Sequence, residues 1–442
     1  MLIILIIIHI FSIGNFFRFV YNMEMHFLSK SNLLKNDSVL LFVNIYSDKI
    51  STFVVERKKE GNAISILASA VEPQEGEIKQ GGEPDADKIL LNLNKVLQAL
   101  PLEIMRVAKR AVFGFGADIS DFKFLQMKIE RHDKDKKITK EELESLTVNK
   151  QNEELSTERF IIDGFVVSDP IGLNGKELIA DAISMSFSEK LIAGIENLSA
   201  GRGMELLGFV NLTQSALEEL KNSENSSVGK DFIFVSVFQN NTDVIVIRDN
   251  VINSIGNLGA GYGIIEKSVS EKFGVGIEEA KDIIRKMRSG ELNGESDDGN
   301  PRTQRTEPRL GKSLAGLRFV RQSQSSWTKR EQSPYDGNPR TQRTEQSPYD
   351  GAKLAVQHAL AAYIEKLREL FGNIDKMLIL PGTIIIGISE ESPELLKVLL
   401  DKIWLADLPL ERNAAINDLN VLIGGQEKLN SVFDSAILKF TI

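Results

Sequence analysis

Cysteine is absent from all 442 residues of the chain. That excludes disulfides, thiolate nucleophiles and cysteine-based metal sites. Histidine is scarce: His9, His26, His132 and His358 are scattered and lack metal-ligand spacing, which argues against a zinc or histidine-triad enzyme. A surplus of positive charge is also lacking. The net charge of −9 gives no electrostatic case for nucleic acid. What is present is ordinary: apolar residues at 42% and charged residues at 26% fit a globular protein, and the length allows two or three domains with real cores. A reducing, cytoplasmic setting fits this composition.

Long apolar runs are few. Leu2–Ile13 is almost wholly Ile, Leu and Phe, and apolar character continues to Val20, broken by Gly14, Asn15 and Arg18. That is short of the about 20 residues a bilayer span needs. It also lacks a basic start and a small-residue cleavage site. Residues 1–22 therefore read as a membrane anchor, a degenerate signal, or translated upstream sequence with the start at Met23 or Met25.

The chain is organised around Asp231–Ile247, D-F-I-F-V-S-V-F-Q-N-N-T-D-V-I-V-I. Two β-rich runs, Phe232–Phe238 and Val244–Ile247, flank the polar tip Gln239–Asp243, the pattern of a hairpin. Such a tip can turn its amides to a phosphate. It has no glycine for close backbone approach, so a plain buried hairpin is the simpler reading.

Before it, Val39–Val43, Lys49–Val55 and Ala63–Ala70 predict a three-stranded meander. Apolar spacing predicts a helix over Asp85–Leu100, followed by a strand at Arg110–Phe115. Residues 111–177 change character, with strands at Phe122–Ile129 and Phe160–Val167, a capping box between Thr139 and Glu142, and a turn-rich loop Asp169–Lys176. They read as a small α+β module inserted into the first domain. Leu178–Phe187 returns to strand, and Ser188 is the expected N-cap of the next helix.

Past the hairpin, a strand at Val251–Ile255 leads to Gly256–Gly263, a glycine-rich entry to a helix that matches neither standard phosphate-loop pattern. The following amphipathic helix carries Glu278 and Lys281, which exposure alone explains. Residues 296–351 hold short exact repeats, D-G-N-P-R-T-Q-R-T-E and E-Q-S-P-Y-D-G, too polar to bury a core, and predict a disordered insertion. A helix over Ala352–Phe371, a strand at Met377–Leu380 with a Pro381-Gly382 turn at its carboxyl end, a helix at Pro393–Ile403 and a strand at Val421–Ile423 complete the chain.

This order of elements resembles the bacterial actin-like family, nearest to its cell-division branch (FtsA) with the pilus-assembly branch (PilM) as a near relative. The resemblance covers about Ser38 to Gly425, apart from the repeats. It implies an α/β, two-lobed actin-like (RNase-H-like) ATPase fold with a small α+β domain inserted in the first lobe. The first lobe would take 38–110 and 178–220, the insertion 111–177, and the second lobe 231–295 and 352–442.

By the same resemblance the first phosphate loop falls on Asn44–Ser47, where Asn44 replaces the usual acid and Tyr46 the glycine. The second falls on Ser236–Asp243, where Asn241, Thr242 and Asp243 close the loop, Ser236 stands for the acid, and Phe238-Gln239-Asn240 replace the glycines. Gly382 falls at the adenosine, and Gly259, Gly261, Glu278 and Lys281 on the far side of the cleft. Tyr46 and Phe238 would fill space that phosphates need. The lost acids would leave Mg²⁺ without an anchor, so the expected protein is a pseudo-ATPase with no catalytic residue, no resident metal and at most weak Mg-ATP binding; an active actin-family ATPase with divergent loops is the alternative. Expected partners are proteins: a tubulin-like division protein or inner-membrane pilus proteins. Self-association and membrane contact through the N-terminal segment are further expectations. The expected location is cytoplasmic, at the inner face of the cell membrane.

Overall fold

The computed structural model of the chain describes residues 39–57, 64–74, 85–146, 153–222, 229–291, 347–374, 380–388, 392–405, 408, 410 and 415–418. Residues 1–22, most of the repeat segment and the strand expected at Val421–Ile423 lie outside them. The chain divides into a larger unit, 1–268 with 356–442, and a smaller one, 269–355.

The larger unit contains two five-stranded sheets of matching topology. In the first, β1 (Val39–Ile45), β2 (Lys49–Arg57) and β3 (Ile64–Pro73) form an antiparallel meander; β4 (Arg110–Phe115) joins β1 in parallel, and β9 (Glu205–Asn211) joins β4 in parallel. In the second, β10 (Phe232–Val237), β11 (Thr242–Arg248) and β12 (Val251–Leu258) repeat the meander; β13 (Thr383–Ile388) and β14 (Ala415–Asp418) repeat the parallel additions. The orders β3-β2-β1-β4-β9 and β12-β11-β10-β13-β14 therefore coincide position by position.

β1 and β10 are central strands, and their runs, apolar except for Asn44 and Ser236, suit burial on both faces. Period-two alternation divides β1. Leu41, Val43 and Ile45 pack with helix α1 (Ala86–Ala99) and helix α4 (Glu189–Gly201) through Leu93, Val96, Leu97, Leu191 and Ile195. Phe42 faces the other way, into a cluster that also holds Phe232, Phe234 and Ile385 of the second sheet. Helix α5 (Leu212–Asn222) adds Leu212, Ala216 and Leu217 to that shared core.

Asp85 caps α1 by accepting from Lys88 N at 3.2 Å. Ser188 precedes α4 as expected, but its hydroxyl makes no cap bond.

A third sheet, order β5-β8-β6-β7, comprises β5 (Asp121–Glu130), β6 (Glu153–Ile162), β7 (Phe165–Val167) and β8 (Glu177–Ser186). The strand expected at Phe160–Val167 is two strands. Asp163 (φ 47) and Gly164 (φ 86) form a left-handed two-residue hairpin turn between them, for which Asp-Gly is the preferred pair. The pairing also differs from the expected division of the chain at 111 and 178. Ala111–Phe115 lies in the first sheet, whereas Leu178–Ser186 pairs with β5 and β6. Alternation shows that a run is a strand but does not say which sheet it joins. Helix α3 (Lys140–Leu146) begins at Thr139, whose Oγ1 accepts from Glu142 N at 3.3 Å. Arg131 ties it down with Nε 2.7 Å from Glu142 Oε1.

Pro381-Gly382 is followed directly by β13, a strand absent from the sequence reading. Of Met377–Leu380, only Leu380 is described, as an isolated bridge to Leu410. In the smaller unit, helix α7 (Ile277–Ser289) starts at Gly276, whose N donates to Glu279 Oε2 at 3.1 Å.

Helix α8 (Pro348–Ile374) starts four residues before the expected Ala352, inside the last repeat. Ser347 is its cap, accepting from Asp350 N at 3.2 Å and donating to Asp350 Oδ2 at 3.0 Å, and Pro348 holds the first turn.

Candidate functional site

The duplicated sheets bring two equivalent turns together. Each follows the central strand of its sheet and opens on a large aromatic residue. Tyr46 N donates to Lys49 O at 2.9 Å, and Phe238 N donates to Asn241 O at 2.8 Å, so both turns close over the same four-residue span. The rings of Tyr46 and Phe238 are fully buried and pack against each other with centroids 6.2 Å apart. The two positions expected to have lost an acid are equivalent as well. Asn44 pairs with Ser51 and Gly114, and Ser236 pairs with Asp243 and Gly387. Ser236 Oγ lies 3.0 Å from Thr213 Oγ1.

The turns bond to each other directly. Asn240 Nδ2 donates to Ser47 Oγ at 3.1 Å, and Gln239 Oε1 lies 3.2 Å from the same hydroxyl. Ser47 Oγ donates to Asp118, and Ser47 N lies 3.3 Å from that carboxylate. Asn241 Nδ2 reaches Ala117 O at 3.2 Å and Asp243 Oδ1 at 3.1 Å. Beside them Tyr262 OH donates to Asp48 Oδ2 at 2.6 Å. Thr242 Oγ1 donates to Ala260 O at 2.8 Å and accepts from Tyr363 OH at 2.7 Å, a phenol pushed up by burial.

Backbone amides here already have acceptors. Besides those of Tyr46, Ser47 and Phe238, Tyr262 N donates to Phe238 O at 3.1 Å and Gly263 N to Gln239 O at 2.9 Å. A Cβ at Gly261 would lie 1.7 Å from Phe238 O, so only glycine lets these chains approach so closely. A triphosphate placed here would have to displace these bonds.

Asp118 and Asp243 dominate the charge. Burial pushes Asp118 up to about 6, against its bonds from Ser47 and the charge of Lys49. Burial pushes Asp243 up to about 7, opposed by bonds from Asn257 and Asn241 and reinforced by the charges of Asp118 and Asp121. Asp118 Oδ1 and Asp243 Oδ2 are buried and have no hydrogen-bond partner among the described residues.

A carboxyl raised in the folded state binds its proton more tightly there. Its contribution favours the fold at low pH and is lost as pH climbs from about 4 through about 7. Asp243→Asn is therefore expected to raise the melting temperature at about pH 8 by several degrees, corresponding to about 4 kcal/mol, and to lose that gain only as pH falls to about 4. Calorimetry across that range checks it, and equal melting of parent and variant at pH 8 would contradict it.

Of the expected site residues, the structure gathers Ser47, Asn241, Thr242, Asp243 and Gly261 at the two turns, with Asn44 in the adjoining strand. Gly259 is exposed at the end of β12, which takes up Gly256–Leu258 of the expected glycine-rich run. Glu278 and Lys281 pair with each other at 2.9 Å along α7 in the smaller unit. Gly382 sits at the amino end of β13. Since Val237 pairs with Ile388, Gly382 lies about 20 Å along the strand from the turn after β10.

Asp118, Gly116 and the Asp48–Tyr262 bond are absent from the sequence reading. The signal for the first two was Gly114-Phe115-Gly116-Ala117-Asp118, an acid among glycines at the carboxyl end of a parallel strand, where open α/β sheets collect ligands. Among the described residues no group of three or more His, Asp or Glu side chains gathers to hold a metal ion.

No known family profile matches the chain, and no curated protein matches it by sequence. Solved structures do. A PilM–PilN type IV pilus biogenesis complex aligns at 10% identity with TM-score 0.55, over 91% of this chain and 97% of that one. This is the actin-like ATPase fold. EutJ, an ethanolamine utilisation protein of Carboxydothermus hydrogenoformans, aligns at 10% identity and TM-score 0.41, over 90% and 89% of the two chains. Component A of (R)-2-hydroxyglutaryl-CoA dehydratase from Acidaminococcus fermentans aligns at 7% identity and TM-score 0.33, over 91% and 98%. The two facing turns sit at the carboxyl ends of the central strands β1 and β10, the end at which open α/β sheets collect ligands.

Proposed function

We propose that this chain is a non-hydrolysing actin-fold scaffold that binds protein partners, as an adaptor of the PilM kind in a pilus assembly. One observation carries the reading. The two turns that would cradle phosphates are bonded to each other, with Tyr46 and Phe238 packed behind them and their amides already engaged. Asp118 and Asp243 stand at the same place, and in their ionised forms they oppose a polyphosphate.

Titration with Mg-ATP tests the reading. No binding at micromolar nucleotide and no steady phosphate release are expected; micromolar affinity with turnover would overturn it. The partner is tested separately, by binding to the cytoplasmic segment of an inner-membrane pilus protein. The division-scaffold alternative rests on the order of sequence elements. Capture of a tubulin-like division protein, with no capture of the pilus segment, would replace the adaptor reading with it.

A further inference from the structure

Ten large apolar side chains are exposed among the described residues, and four of them fall between positions 165 and 173. Phe165 is 76% exposed, Val166 64%, Ile171 49% and Leu173 42%. Backbone bonds gather them at one tip of the small sheet. Asp163 accepts from Lys176 N at 3.0 Å and Glu177 N at 2.8 Å, joining the β6–β7 turn to the following loop. Ile138 N donates to Leu173 O at 2.9 Å, and Gly175 N donates to Lys134 O at 3.1 Å, joining that loop to the lysine-rich stretch. The base of the tip is fixed by Arg131, which also donates to Gly175 O at 2.8 Å.

Charge at the tip is arranged unevenly. Lys134, Lys136, Lys137 and Lys176 are exposed and form no ion pair among the described residues. Asp133, Asp163 and Asp169 instead turn their carboxylates onto backbone N–H groups, those of Asp135, of Lys176 with Glu177, and of Ile171. Asp135 is exposed as well. The four aspartates match the four lysines in number and Asp163 is held ionised by its backbone bonds, but their short carboxylates stay at the backbone while the longer lysine chains extend past them. Phe165 and Val166 are consecutive in a strand and so point to opposite faces. A single flat protein surface covers one of them; a fluid interface takes both.

We propose that this tip is a peripheral membrane-contact site, its four apolar side chains entering the interfacial layer of a bilayer while the lysines meet anionic headgroups. The proposal does not depend on the state of the nucleotide cleft. Because the chain has no cysteine, Phe165→Cys gives a single position for an environment-sensitive dye, and Glu196→Cys, exposed on α4, gives a control.

The full chain is mixed with vesicles of phosphatidylcholine, alone or with phosphatidylglycerol. A blue shift at position 165 only, with the anionic vesicles and reversed by salt, is the expected result. In cosedimentation with the same vesicles, Lys136→Glu/Lys137→Glu is expected to weaken binding roughly thirty-fold or more. No shift at 165, or an equal shift at 196, would overturn the proposal. A shift that needs only more protein would make the tip a self-association face, and one produced by an acidic peptide but not by vesicles would make it a peptide site; either result also overturns it.

Discussion

Gly261→Ala is expected to unfold the protein or to lower its stability by about 4 kcal/mol or more. The added methyl group would sit 1.7 Å from Phe238 O and 2.7 Å from Gln239 O, and both obstacles are backbone. Neither can swing aside as a side chain would. Relief requires moving the turn after β10, which breaks the Tyr262 and Gly263 amide bonds and loosens the packing behind Phe238. Gly201→Ala is the matched control. It lies at the exposed end of α4 with nothing near its missing Cβ, and is expected to change stability by no more than about 1 kcal/mol. Urea unfolding of both variants separates the cases, and a Gly261→Ala midpoint equal to the parent's would show that the glycine is not seated as described.

Lys221→Met is expected to cost about 3–5 kcal/mol. Lys221 Nζ lies 3.1 Å from Glu218 and 3.3 Å from Glu158, and all three side chains are nearly buried. Burial pulls the ammonium down, but the two carboxylates outweigh it and hold Lys221 above the usual lysine value. Burial pushes Glu218 up despite its lysine neighbour. Removing the cation leaves two carboxylates together in a poor solvent for charge. The cluster is also a junction, because Glu158 belongs to the small sheet, Lys221 ends α5, and Glu158 accepts from Ile252 N of β12 at 3.2 Å. Glu158→Gln is expected to be milder, since Lys221 keeps Glu218. The double variant should fall short of the sum of the singles. Additive losses in denaturant titrations would mean that the three groups do not act together.

Local chemistry made much of this fold legible. Both meanders, α1 and the hairpin of β10 and β11 follow from alternation, helical spacing and turn residues. Two boundaries carry local signals that a reading by periodicity passes over: Asp163-Gly164 splits a strand, and Ser347-Pro348-Tyr349-Asp350 starts a helix inside a polar, repeated segment. Other features were not legible, because they depend on which distant strands pair. Leu178–Ser186 reads as a good strand in either sheet, and only pairing assigns it. Likewise Asp118 joins Ser47 across 71 positions, and Tyr262 joins Asp48 across 214. Pro381-Gly382 marks a turn but does not tell that a strand follows it, so β13 is not legible there.

The repetition of one topology in both sheets has an evolutionary corollary. Tyr46 and Phe238 hold the same place in each copy and touch one another, so neither can change size alone. In natural variants of this chain, a smaller ring on one side should be answered by a bulkier group on the other, with the sum of the two volumes held steady while each member drifts.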